Sequence, residues 1–275
     1  MFENIQAILF DIDGTLLTDK IKMLPQTMKA LNLLHERGIK LGLASGRRVD
    51  QMQSKGNDWN LESDFDIMIG LNGGQLWDKD SGELLSFYPM QPEQIKAAYE
   101  LLKDFDCNIY TYNIGKTLYS RMDELTNQAM RMFGAREYTV VKNPEELWAE
   151  SSPKILMRCH YEESLKIEAF MKTHKIPGVQ LIRTQSTVLE LQDERLDKGN
   201  ALKLYSQRSG IPIEDIMACG DTSNDNGMIE AAGVGVCMKN GTEDTKAVAD
   251  YITEYTNNED GMGKWLLKHV LNVTY

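Results

Sequence analysis

The chain has 275 residues, the length of one or two domains at a typical ~150 residues each. Apolar residues make up 42% and charged residues 26%, the balance of an ordinary globular protein. Thirty basic against 41 acidic side chains give a net charge of −11, which argues against a nucleic-acid backbone binder or a protein that adheres to anionic membranes.

The first predicted element is a strand at Ala7–Phe10, a short continuous apolar run of the kind buried on both faces of a sheet. Asp11-Ile12-Asp13-Gly14-Thr15 breaks it. Leu24, Met28, Leu31 and Leu34 then recur at helical spacing, with Pro25 in the first turn and Gly38 as the C-terminal stop. Ile39–Ala44 reads as a second strand ending at Ser45-Gly46-Arg47, and Ile67–Ile69 as a third ending at Asn72-Gly73-Gly74. The pattern changes after Glu83. Helical segments near 92–105, 123–132 and 162–174 are interleaved with strands at 108–112, 117–121, 155–159, 179–183 and 188–191, an α+β arrangement with an antiparallel sheet. From Lys198 the alternation resumes: helix 198–208, strand 216–219, helix 225–232, strand 234–238, and helices at 242–249 and 263–270.

The predicted fold class is therefore α/β: a doubly wound parallel sheet formed by residues 1–84 and 192–275, interrupted by an inserted α+β domain at 85–191. No stretch approaches the ~20 apolar residues of a membrane span, and the N-terminus lacks the basic region of a signal peptide. Cys107, Cys159, Cys219 and Cys237 are far apart and form no CxxC pair. Reduced thiols in a cytoplasmic protein are expected, rather than a disulfide framework or a zinc knuckle.

Four segments carry candidate chemistry. Asp11 and Asp13 follow the first strand, and ligands of open parallel sheets bind beyond the carboxyl ends of the strands. Carboxylates packed there need a compensating cation, for which a hard divalent ion such as Mg²⁺ suits, and one of them can act as a nucleophile toward phosphorus. The competing use is an Asx-turn at Asp13. Asp221, Asn224 and Asp225 follow strand 216–219 and can complete an oxygen shell or simply cap the next helix. Ser45 and the backbone N–H near Gly46 can hold an anion or form a plain N-cap. Lys198 opens a helix against the macrodipole, which suits a residue countering phosphate or carboxylate charge; a solvated lysine is the commoner alternative.

Taken in order, DIDGTL, ASGR, the lysine of DKGNAL and GDTSND resemble the four motifs of the haloacid dehalogenase-like (HAD) hydrolases. The long insertion between the second and third resembles the cap of the Cof-type (IIB) phosphatases, as do Asn72-Gly73-Gly74 and Asp260-Gly261. The resemblance implies a Rossmann-like core and an inserted cap. It implies Asp11 as nucleophile and Asp13 as general acid and base. Mg²⁺ would be held by Asp11, the Asp13 backbone carbonyl and Asp221, with Asp225 supporting the site. Phosphate would meet Ser45, Lys198 and Asn224 and the amides of Ile12 and Gly46. The function implied is hydrolysis of a small phosphorylated metabolite, a sugar phosphate foremost. The alternatives are a phosphotransferase or phosphomutase on the same core, or a silent binding and regulatory module. Motif four departs from many relatives in carrying Thr222-Ser223 where a glycine-containing turn is common. No motif indicates the oligomeric state.

Overall fold

The computed structural model describes residues 2–53, 55–113, 116–133 and 137–273. The first strands are β1 (Ala7–Phe10), β2 (Lys40–Ala44), β3 (Ile67–Gly70), β4 (Gln75–Asp78) and β5 (Leu84–Ser86). The middle of the chain supplies β6 (Asn108–Asn113), β7 (Lys116–Tyr119), β8 (Tyr138–Val140), β9 (Ile155–Arg158), β10 (Val179–Gln185) and β11 (Val188–Asp193). β12 (Ile216–Gly220), β13 (Val234–Cys237) and β14 (Tyr251–Ile252) complete the set among the described residues. They form two sheets, ordered β14-β13-β12-β1-β2-β3-β4-β5 and β10-β11-β9-β6-β7-β8. The chain divides into two compact units, residues 1–87 with 197–275, and residues 88–196.

In the first unit β1 is central, pairing in parallel with β12 on one side and β2 on the other. All four of its residues are buried, and their period of two divides them between opposite faces. Ile8 and Phe10 join a core with Leu31, Leu34, Trp265 and Leu266, from helix Pro25–Glu36 and the C-terminal helical segment. Ala7 and Leu9 join a second core with Leu202, Tyr205 and Met228, from helices Lys198–Ser209 and Asn226–Ala231. Apolar residues on both faces, each covered by helices, make this the expected doubly wound α/β sheet. It is not wholly parallel. β4 and β5 run antiparallel along one edge, and both were absent from the expected elements.

The expected boundary after residue 84 falls inside β5, whose pairing with β4 keeps the chain in the first unit through Phe87. At the other crossing, β11 runs to Asp193, and the Arg195 guanidinium lies 3.9 Å from the Tyr88 ring centroid. These contacts extend the second unit to Leu196. Within that unit, helices Pro92–Leu102 and Tyr161–Met171 pack Ile95, Leu102 and Ile167 against Ile109, Met157, Leu189 and Leu191 of the sheet. The sheet is antiparallel except where β7 and β8 run parallel.

Candidate active site

Four neighbouring parallel strands, β12, β1, β2 and β3, end at the same edge of the first sheet, with Phe10 in register with Cys219 and Leu43, and Ala44 with Ile69. Asp221, Asp11, Ser45 and Leu71 are the residues that follow. The sheet order alone thus brings motifs remote in sequence to one crevice.

Asp11 extends the ladder by one step, its N–H donating to Cys219 O at 2.8 Å. The chain then turns, and the N–H groups of Leu16 and Leu17 both donate to Ile12 O. Gly14 is required in this turn. Its φ is +91°, and a Cβ would stand 2.3 Å from Asp221 Oδ2. Thr15 Oγ1 donates to Asp221 Oδ1 at 2.9 Å, so the loop after the first strand seats the acid of the fourth motif directly.

Lys198 begins its helix with no exposed surface. Asp197 caps that helix by accepting from Asn200 N at 3.0 Å, and its carboxylate fills the space where Gly227 would carry a Cβ, 2.2 Å away. The lysine is thereby driven inward. Its Nζ donates to Asp11 Oδ1 at 2.7 Å and to Asp225 Oδ1 at 2.6 Å. Asp225 Oδ2 accepts from the N–H groups of Asp221 (2.9 Å) and Thr222 (3.1 Å). Oxygen atoms of Asp11, Asp221 and Asp225 lie within 4.8 Å of one another.

Three buried carboxylates therefore face one buried ammonium, a surplus of two negative charges if all ionise. Burial raises the Asp11 pKa, Lys198 draws it back, and Asp225 and Asp221 push it up again. Burial and then the Asp225 charge push Asp221 up to about 7. Burial alone would lower the Lys198 pKa; the two carboxylates on it more than reverse that, and it stays protonated. An all-oxygen donor set with excess negative charge fits a hard divalent cation.

Beside this cluster, Ser45 is buried and its Oγ accepts from Arg47 N. Asn72 joins the second and fourth motifs: its N–H donates to Ser45 O, and its Oδ1 accepts from Asn224 Nδ2 at 3.3 Å. Ile12 is buried in the core, and its carbonyl accepts the two N–H groups that close the turn. Gly46 packs near the Asn72 amide.

The Asp13 carboxylate lies outside the buried cluster, its side chain 56% exposed, and it accepts from Arg47 at 2.6 and 2.7 Å. The turn at Ile12 ends the strand alternation that would have kept the Asp13 carboxylate beside that of Asp11. Sequence reasoning did not single out Thr15, Arg47 or Asn72 as side chains of the site. Of the three, Asn72 carried a signal: an Asn-Gly step after a strand suits positive φ, and its φ is 54°.

Comparison with known proteins agrees with this geometry. A profile of haloacid dehalogenase-like hydrolases matches residues 8–266. The chain is 25% identical to the 5-amino-6-(5-phospho-D-ribitylamino)uracil phosphatase YcsE of Bacillus subtilis, over 98% of this chain and 97% of that protein. A haloacid dehalogenase-like hydrolase from Bacteroides thetaiotaomicron superposes with a TM-score of 0.82 at 26% identity, covering 96% of this chain and 99% of the other. A HAD subclass IIB sugar phosphatase shares the fold with a TM-score of 0.80 at 24% identity, covering 98% and 100%. The chain belongs to the haloacid dehalogenase-like hydrolases, as its four motifs imply. The curated relatives it matches include several named as phosphatases or putative phosphatases.

Proposed function

We propose that the protein is a Mg²⁺-dependent phosphatase that hydrolyses a small phosphorylated metabolite, a sugar phosphate foremost, through an aspartyl-phosphate on Asp11. The observation that carries this reading is the buried Asp11–Lys198–Asp225 ion cluster with Asp221 at its side, where the carboxylates outnumber the cation. Mg²⁺, held by Asp11, the Asp13 carbonyl and Asp221, would offset that excess and neutralise charge on the phosphoryl oxygens. Asp225 has both oxygens committed to Lys198 and to the backbone of its own loop, so its part is to hold the lysine and Asp221 in place.

The chemistry asked of the chain is then specific. The Asp11 carboxylate attacks phosphorus as the ester P–O bond breaks, and Asp13 gives the leaving alkoxide its proton. Asp13 then takes a proton from water, the water oxygen attacks phosphorus, and Asp11 is released with inorganic phosphate. Lys198, Ser45, Asn224 and the amides of Ile12 and Gly46 hold the equatorial oxygens, where the transition-state charge accumulates. The family resemblance gives the inserted unit the part of setting which leaving group is accepted. The ribityl phosphate in one relative's name and the sugar phosphatase among the structural neighbours favour a polyol or sugar ester. Four buried free cysteines suit a reducing cytoplasm. Among the described residues, no helix is long and apolar enough to cross a membrane.

The test is a panel of phosphorylated metabolites assayed for phosphate release with and without Mg²⁺, using the wild type and Asp11→Asn. Release of stoichiometric inorganic phosphate by the wild type and its loss in D11N are expected. Near-normal turnover by D11N would exclude the covalent route, and phosphate appearing on an acceptor instead of in solution would make the enzyme a phosphotransferase.

A further inference from the structure

The loop after β13 is tied to both acidic loops of the site, although nothing in the chemistry above uses it. Met238 N donates to Gly220 O at 3.0 Å, which carries this loop along the end of β12. A tight turn follows, Gly241 N to Met238 O at 2.8 Å, and Thr242 N donates to Asp221 O at 2.8 Å. At its tip stands Asn240, exposed to solvent but committed at both ends of its amide. Its Nδ2 donates to Gly14 O at 2.9 Å, and its Oδ1 accepts from Asn257 N at 2.9 Å. Asn257, itself buried, passes the restraint on: its Nδ2 donates to Leu17 O at 3.0 Å and to Asp19 Oδ1 at 3.1 Å.

Two carbonyls of the loop that follows Asp11 are thus fixed by two asparagines from the far end of the chain. A glycine at positive φ has the widest conformational freedom of any residue, so Gly14 is where that loop would relax first. Its relaxation would be felt at Asp221, because Gly14 lies against that carboxylate and Thr15 donates to it.

We propose that Asn240 is a positioning residue for metal binding and turnover: by clamping the Gly14 carbonyl it holds Gly14 and Thr15 against Asp221. This rests on the phosphatase reading above, and the experiment separates the two. Asn240→Asp is nearly isosteric; it keeps the acceptor for Asn257 N but turns the Gly14 donor into a repelling oxygen. Asn240→Ala removes both bonds without adding charge. Each full-length variant is compared with the wild type in three ways. These are hydrogen exchange of the 12–19 segment in EDTA, calorimetric titration with Mg²⁺ alone, and steady-state kinetics on the best phosphomonoester of the panel.

In both variants the 12–19 segment should exchange faster while the rest of the protein is unchanged. Mg²⁺ affinity should fall on the order of tenfold, the range seen when groups supporting a metal ligand are lost, and kcat should fall similarly with KM for the ester held. Wild-type exchange and wild-type Mg²⁺ affinity in both variants would overturn the proposal. So would a defect confined to N240D, since the new charge and not the lost bond would then be responsible. A wild type that binds Mg²⁺ but hydrolyses nothing defeats the functional reading only, and exchange and calorimetry still decide the role of Asn240. A wild type that neither binds Mg²⁺ nor turns over defeats both.

Discussion

Two lysines are buried among the described residues, one in each unit, and they keep different company. In the second unit Lys154 Nζ donates to Glu190 Oε2 at 2.7 Å, with both side chains almost fully enclosed. Thr184 Oγ1 donates to the other oxygen of Glu190. In this ion pair one cation meets one anion, so the two charges balance each other. In the first unit Lys198 meets two carboxylates, and a third, Asp221, adjoins them. That cluster is open: when ionised, its carboxylates outnumber the one cation among them. Burial of an ion pair is thus weak evidence of function, because a balanced pair can simply fill a core. Imbalance is the better sign, since a fold tolerates uncompensated buried charge only where a ligand or a proton will meet it.

Removing each lysine puts this contrast under the largest strain. Lys154→Met leaves Glu190 buried and unpaired, which should cost about 3–5 kcal/mol of stability, and a Lys154→Met/Glu190→Leu double variant should recover most of it. Lys198→Met should be as destabilising and should also lower turnover by about 10²–10³-fold, the scale of losing one preorganised charge-stabilising donor. Here no second substitution restores function; Lys198→Met/Asp11→Asn can regain melting temperature but not phosphate release. Denaturant melts and phosphate assays on the four proteins settle the matter. If the double variant at 154 and 190 stayed unstable, or Lys198→Met kept its turnover, the distinction between balanced and open clusters would be lost.

Metal and pH sharpen the same comparison. Asp221 is held near 7, above its ordinary value, so the folded metal-free protein binds its proton more tightly than the unfolded chain does. A raised carboxylate pKa contributes stability at low pH that is lost as pH rises from the ordinary carboxylate range through about 7. In EDTA the melting temperature should therefore decline between pH 5 and 8. Mg²⁺ competes with that proton, so its stabilisation should grow over the same interval, reaching about 2.7 kcal/mol where the ion is at a hundred times its Kd. Changing Lys154 and Glu190 together should leave this response untouched. A Mg²⁺ effect equal at pH 5.5 and 8 would mean that the ion binds elsewhere.

Much of the open cluster was legible in the sequence and much of its support was not. Asp11 and Asp221 announce themselves because each ends an apolar run that can only be a buried strand, and the carboxyl ends of such strands form a crevice. Lys198 stands out through its misfit with the helix dipole. That β12 lies beside β1 is a long-range pairing that no local pattern records. Thr15 and Asn240 sit in loops with no local signal, and what sets them apart is which distant carboxylate or carbonyl they reach. Asp13 shows the converse: its spacing from Asp11 is suggestive, but the turn at Ile12 sends its carboxylate to Arg47. The β4–β5 hairpin went unseen because Gln75–Asp78 is too short to show alternation and Leu84 and Ser86 are exposed at the sheet edge.

The smallest effect separates a hydroxyl that packs from one that tunes the site. Thr15 is buried, so Thr15→Val keeps the shape and removes the donor to Asp221 Oδ1, at a stability cost of about 1–3 kcal/mol. The hydroxyl pulls the Asp221 pKa down against burial, and its loss lets that pKa rise further. Near neutral pH, Mg²⁺ must then displace a more tightly held proton, and half-saturation should move to several-fold higher Mg²⁺, about 1 kcal/mol in binding. At pH 8.5 Asp221 is ionised in both proteins, so most of the gap should close. Calorimetric titration at pH 6.5 and 8.5 measures it. A deficit of the same size at both values would assign Thr15 a geometric role alone, and no deficit at either would reduce its hydroxyl to packing.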